Sequence, residues 1–224
     1  ATWMATVQRH RSYPVPRPEV AVYRVGENSS TLKHSLKLDG ITALSRPDVV
    51  GLEDGCMVAF GAEVNGEYDV YYARLPASDR KPKINRIKTD AEADILPELA
   101  VADDRLRIVW ETNAPGVRAV ASAVIGEDGA SEPTIISPTD QNCANPDLVG
   151  LKDGSFFAAW DSLRGTNVNI YGKRLQGGSW SKERQLTADP RIERHVSLAS
   201  SGGKVWLAWQ AQAFPGRRVN RMTP

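Results

Sequence analysis

The chain has 224 residues, long for one ordinary core but within the roughly 200–250 residues that a single repeat or barrel domain can hold. Its 28 Lys and Arg stand against 27 Asp and Glu, a formal net charge of +1, so no uniform basic field is available to draw in phosphate backbones or anionic lipid, and nucleic acid is not an expected partner. Apolar runs such as Val205 to Trp209 fall far short of the roughly 20 residues a membrane span needs, and two cysteines, Cys56 and Cys143, cannot build the disulfide framework of a small secreted domain.

The first residues, ATWMATVQRHR, lack a charged segment followed by an apolar one and do not read as a secretion signal. ATWMATVQ, around Trp3, reads instead as a strand, followed by a Pro-rich loop, SYPVPRP, and a second strand, EVAVYRV, from Glu19. From Arg46 the chain repeats itself. RPDVVGLEDGCMVAF from Arg46 aligns with LPELAVADDRLRIVW from Leu96, NPDLVGLKDGSFFAAW from Asn145 and, more loosely, HVSLASSGGKVWLAW from His195. Pro47, Pro97, Pro146 and Val196 share one column and Phe60, Trp110, Trp160 and Trp209 another, each step being 49 or 50 residues.

The copy from Pro146 to Pro190 predicts four strands, A to D. Strand A is DLVGL, the Asp153-Gly154 turn follows, and strand B is SFFAAW. A second turn, Arg164-Gly165-Thr166-Asn167, leads to strand C, NIYGKRL, and Gly177-Gly178 to strand D, ERQLT. The copy from Leu96 departs at the first turn, with Asp103-Asp104 for Asp-Gly, and its third strand, RAVASAV, lacks the tyrosine of IYGKRL. A β-sandwich also has frequent turns but does not require a 50-residue phase, and no window keeps a helical period. The predicted fold is therefore all-β, a β-propeller of four-stranded antiparallel blades. The five repeats fall at about 1–45, 46–95, 96–144, 145–194 and 195–224. The first lacks strand A, while the last places strand C across Val219 to Pro224 and has no strand D. A piece of a larger propeller and an irregular five-bladed ring both stay open.

The run from Pro146, PDLVGLKDGSFFAAWDSLRG, then NIYGKRL and QLT, resembles the propeller repeat of TolB-like proteins, a WD40-like type also found in prolyl-oligopeptidase-like peptidases. The resemblance spans about four-fifths of the chain and implies architecture. The group it points to contains protein-docking modules, substrate-gating domains and carbohydrate-active members. The aspartate box of sialidases is missing, as is a G-x-S-x-G nucleophile elbow.

The acid after each strand-A proline is the leading chemical candidate: Asp48, Glu98 and Asp147, with Ser197 in the same column. Inner strands of a propeller line its axis, so these carboxylates are expected at one mouth, where they would suit Ca²⁺ or a cationic partner group. They would equally pair with the neighbouring Arg46 and Arg194. On the same face lie Asp161, Arg164 and Asn167 of a B–C turn, with His195 beside a D–A loop; loops on a rigid scaffold are where binding resides, but Gly, Asn and Asp are first of all what tight turns require. The phased aromatics read as packing between blades, and Trp180, out of phase, as the better exposed aromatic. None of His10, His34 and His195 has the close spacing of a metal site, and a Cys56–Cys143 disulfide is not expected, because the two residues fall on opposite faces of a blade.

The leading expectation is a non-catalytic binding propeller offering loops and sheet edges to a protein or glycan partner. A hydrolase or lyase with an acidic axial site is the first alternative, a structural segment of a larger extracytoplasmic protein, periplasmic or secreted, the second. Self-association through unfinished blades accompanies all three.

Overall fold

In the computed structural model, residues 2–9, 18–76, 78 and 82–213 are described. The projected strand across Val219 to Pro224, His10 and the Pro-rich loop up to Arg17 lie outside them. The described chain is all strand and turn, arranged as five antiparallel sheets in chain order.

The first sheet orders β1 (Thr2–Arg9), β2 (Pro18–Val25) and β3 (Ser30–Leu36). In the second, β4 (Ile41–Leu44) and β5 (Asp48–Leu52) both pair with β6 (Gly55–Val64), which pairs β7 (Glu67–Pro76) and then β8 (Ile84–Arg86). The third runs β9 (Asp94–Ala102), β10 (Arg105–Thr112), β11 (Ala119–Ile125), β12 (Thr134–Ile135). The fourth runs β13 (Asn142–Gly150), β14 (Phe156–Arg164), β15 (Asn167–Gln176), with β16 (Ser179–Trp180) and β17 (Arg184–Gln185) both on β15. The fifth holds β18 (Ile192–Ser201) and β19 (Lys204–Gln212). The second to fifth sheets begin at Ile41, Asp94, Asn142 and Ile192, and the first sheet has three strands among the described residues.

Turn chemistry explains the hairpins. Asn65-Gly66 and Gly202-Gly203 adopt positive φ at both positions, as a two-residue connection between twisted strands requires. Asp103-Asp104 does the same, with φ of 47° and 57°, because a short polar side chain tolerates the left-handed region. The departure in the third repeat therefore leaves the hairpin intact.

Alternation along each strand sends one set of residues to each neighbouring sheet. Phe60 with Val58 and Cys56 packs on Val20, Val22 and Leu36 of the first sheet, while Met57 and Ala59 meet Trp110, Ile108 and Leu99 of the third. Trp160, Phe156 and Ala158 pack on Val109, Ala100 and Val120, and Ala159 and Ile170 on Val196. Phe60, Trp110 and Trp160 are at most 1% exposed, which bears out packing between sheets as their role. Trp209, in the same column, is 42% exposed, because its sheet has only two strands among the described residues. Trp180 is half-buried on the core between the third and fourth sheets, more exposed than Phe60, Trp110 and Trp160 as expected but less than Trp209. The predicted strand ERQLT shortens to Arg184–Gln185, a separate two-residue strand forms before it at Ser179–Trp180, and DLVGL extends back to Asn142.

Gly150 shows how tightly the sheets approach. A Cβ there would lie 2.8 Å from the Val101 carbonyl carbon and closer still to its oxygen, both rigid backbone atoms of the third sheet. Gly150→Ala should therefore cost about 3 kcal/mol through overpacking, a fall in Tm of roughly 6–12 °C for a chain of this size, read by thermal unfolding. Gly66→Ala, where nothing lies within 4 Å, should show only the smaller strain of its positive φ.

Candidate functional site

The inner strand of each sheet breaks at one place. Leu96, Asn145 and His195 have φ of 53°, 49° and 54°, each just before the residue in the proline column. The ladder skips there, between Val109 and Glu111 of β10, Ala144 and Asp147 of β13, and Arg194 and Ser197 of β18. These are β-bulges, and a bulge turns its amide out of the ladder, so that amide needs an acceptor elsewhere.

The preceding sheet supplies it. The N–H of Leu96 donates to Ser45 Oγ at 3.4 Å, that of Asn145 to Glu111 Oε2 at 3.1 Å and that of His195 to Asp161 Oδ2 at 3.1 Å. Asp161 also accepts from Asn145 Nδ2 at 2.8 Å. Gly61 holds the Glu111 and Asp161 column in the second sheet, and the space its missing side chain leaves is filled by Ser45 Oγ, which accepts the Gly61 N–H at 3.0 Å.

The candidate axial acids do related work. Asp48 Oδ2 accepts the N–H of Leu99, and Asp147 Oδ2 that of Leu198, each at 2.7 Å and each in the next sheet. Asp147 Oδ1 further accepts the N–H of Leu148 at 2.6 Å. Glu98 differs. It meets the Arg46 guanidinium, as the ion-pair reading expected, and takes no backbone N–H across the next junction. Glu98 and Asp147 sit within long inner strands instead of at their starts, since the ladder resumes before and after the bulge.

Burial pushes the Glu98 carboxyl up to about 8, with the charges of Asp48 and Asp147 adding to the rise and Arg46 opposing it. The guanidinium of Arg46 is largely exposed, so water weakens its hold. Asp48 and Asp147 are also raised, by burial first, but each is drawn back by backbone N–H donors. Asp161 is raised by burial and lowered by Asn145 and His195. The three axial carboxyls are thus close enough to feel one another, yet among the described residues no three His, Cys, Asp or Glu are placed to hold a metal ion.

The loop candidates are also engaged. Arg164 lies 3.6 Å from the Tyr171 ring centroid and donates to Glu183 Oε2 at 2.5 Å, fixing the B–C turn on its own sheet. Asn167 opens β15 opposite Arg164, and the His195 side chain is exposed. Both cysteines are buried and free. Sequence reasoning missed Ser45 and Glu111, although the column Gly61, Glu111, Asp161 was visible at the same 50-residue step.

Asp147→Ala removes the acceptor of both Leu148 and Leu198 and should cost roughly 1–3 kcal/mol, measured by urea unfolding. Glu98 carries a pH signature. The folded chain keeps its proton up to about 8, whereas the unfolded chain releases it near 4.5, so the folded state binds more protons between those values. Stability is therefore full below that window and falls as pH rises through it. Glu98→Gln should flatten the fall of Tm between pH 5 and pH 9 and melt higher than the native chain at pH 9.

No protein-family model matches the sequence, and no curated protein matches it. Among solved structures the chain is similar to TolB from Acinetobacter baumannii, at 17% identity and a TM-score of 0.54 over 93% of this chain. The chain spans about half of that structure, 49% of its length. The likeness establishes a TolB-like fold.

Proposed function

We propose that the chain is an arc of a β-propeller whose five sheets are successive blades, and that it acts as a non-catalytic binding module for a protein or glycan partner. The observation that carries this reading is where the polar and apolar groups are spent. The carboxylates best suited to chemistry, Asp48, Asp147 and Asp161, hold backbone amides of the next sheet. The large aromatics on offer lie on β19, where Trp206 is 60% exposed. Among the described residues β19 pairs with β18 alone, so its second edge presents the alternating N–H and C=O groups that an added strand would take up. Val205 and Leu207 face inward between the exposed positions, which fixes the face an incoming strand would share. An extracytoplasmic location and membership of a larger assembly belong to the same proposal, as the resemblance of the repeat implies. No helix among the described residues is long and apolar enough to cross a membrane.

One observation favours a hydrolase or lyase instead: a carboxyl held protonated to about 8 beside two, Asp48 and Asp147, that backbone N–H donors draw towards their charged form is how acid and base work is divided. An acid of that kind would lose turnover by about 100-fold or more on conversion to its amide. Glu98→Gln assayed on nitrophenyl glycosides and esters tests it, since an unchanged background rate removes the enzyme reading.

Residue-resolved hydrogen exchange tests the binding edge. The amides of β19 should exchange at least 100-fold faster than those of β14, which is paired on both sides. Equal protection of the two strands in a monodisperse monomer would show the edge covered by the chain itself and end the proposal.

A further inference from the structure

Between the third and fourth sheets, beside their strand A–B turns, lies a cavity of about 60 Å³ whose lining includes Arg105, Arg107, Leu106, Phe156, Leu175 and Gly178. Arg107 stands in β10 between Leu106 and Ile108, which pack towards the second sheet, so its own side chain turns towards the fourth. There its guanidinium carbon is 5.8 Å from the ring centroids of both Phe156 and Trp180. Nη1 donates to the neutral hydroxyl of Ser122 at 2.9 Å, while Nε is buried without a partner.

The charge of Arg107 is not answered. Arg74, Arg86, Arg118 and Arg164 each meet a carboxylate, whereas among the described residues Arg107 meets none. Arg105 is committed differently, donating to the Gly154 carbonyl at 2.5 Å and lying 3.9 Å from Asp103 Oδ2. Burial and the Arg105 charge both work against the protonated form of Arg107 and lower its pKa from the usual value. Buried charge is ordinarily paired, because an uncompensated ion loses its hydration for nothing. Two aromatic faces offset part of that loss, but they leave the in-plane N–H donors of the fork without a partner of opposite sign.

We propose that this cavity is a carboxylate-binding site, with Arg107 as its charged donor, Phe156 and Leu175 as its apolar walls, and Trp180 stacked on the guanidinium beside it. One uncompensated positive charge matches one negative charge, and a planar carboxylate can accept two parallel N–H donors from the guanidinium fork. The apolar lining supplied by Phe156 and Leu175 disfavours a multiply charged, strongly hydrated group such as phosphate. The volume admits a carboxyl head and excludes a sugar ring or a nucleobase, which need pockets of several hundred Å³. A free small acid and a peptide C-terminus share this chemistry.

The test uses the full chain and three probes at constant ionic strength: acetate, triglycine with a free carboxylate, and triglycine amide. The readout is the indole N–H resonance of Trp180, assigned by its loss in Trp180→Phe. Acetate and triglycine should shift it saturably and the amide should not. Triglycine binding more tightly than acetate identifies a peptide C-terminus as the source, and equal affinity identifies small acids in general. Arg107→Met, which keeps an apolar stem between the rings, should abolish saturation, and Arg107→Lys, which keeps the charge without the fork, should weaken acetate at least tenfold. Should the Met variant fail to fold, the Lys variant decides. Linear shifts in the native chain, an equal effect of the amide, or undiminished binding in the folded variants would each overturn the proposal.

Discussion

A backbone amide that leaves its own ladder and is caught by the preceding sheet is the interaction on which this structure depends. The inner strands of the third, fourth and fifth sheets kink at Leu96, Asn145 and His195, and each kink frees an N–H that needs an acceptor outside its own ladder. Ser45, Glu111 and Asp161 each reach across one junction to accept that amide. A second tether, three residues further on, runs from Asp48 to Leu99 and from Asp147 to Leu198. Hydrophobic burial supplies the attraction between sheets, but it is non-directional. The amide clasps fix the register in which one sheet lies on the next, and so give the 50-residue phase its physical meaning.

The same constraint shapes the electrostatics of the acid-lined face. A carboxylate that accepts backbone N–H groups is held towards its charged form, which is what restrains Asp48 and Asp147 against their burial. Glu98 stands in the same column with a longer side chain and turns back to Arg46, leaving the Leu148 amide to Asp147 of its own sheet. Without backbone donors it has only Arg46 to oppose burial and its two charged neighbours, and rises to about 8. Three residues that look equivalent by position are therefore chemically unequal, because two of them accept backbone N–H groups and Glu98 accepts none.

Much of the architecture was legible in the sequence because it is written in periodic features. The aromatic column packs between sheets and the Gly and Asp turns close hairpins, as their spacing predicts. What was not legible depends on direction. A carboxylate after a proline looks the same in sequence whether it faces a channel or an amide of the next sheet, and only the bulge decides. Nor could Trp180 and Trp209 be ranked by exposure, since that depends on which neighbouring strands exist to cover them. Arg107 was overlooked for a related reason. Its column holds Met57 and Phe157 in the adjacent repeats, so an arginine there reads as an irregularity and not as a site.

That column also explains why the fifth sheet presents the surface it does. Met57 and Phe157 lie on the forward face of their sheets, Met57 in the core it shares with the following sheet and Phe157 packed against the next such core. Trp206 occupies the corresponding place in β19, opposite Ala199 as Phe157 is opposite Val149. It meets no following sheet among the described residues and stands 60% exposed. Ser197 and Gln210, at the two positions from which the earlier sheets extend their clasps, are exposed with it and keep hydrogen-bonding groups there. An aromatic side chain and two polar groups at positions that elsewhere receive backbone amides are therefore gathered on one face by the repeat itself, beside a strand edge that has no partner among the described residues. The proposed binding role rests on that pattern, since a strand bearing its own free amides would be complementary to it.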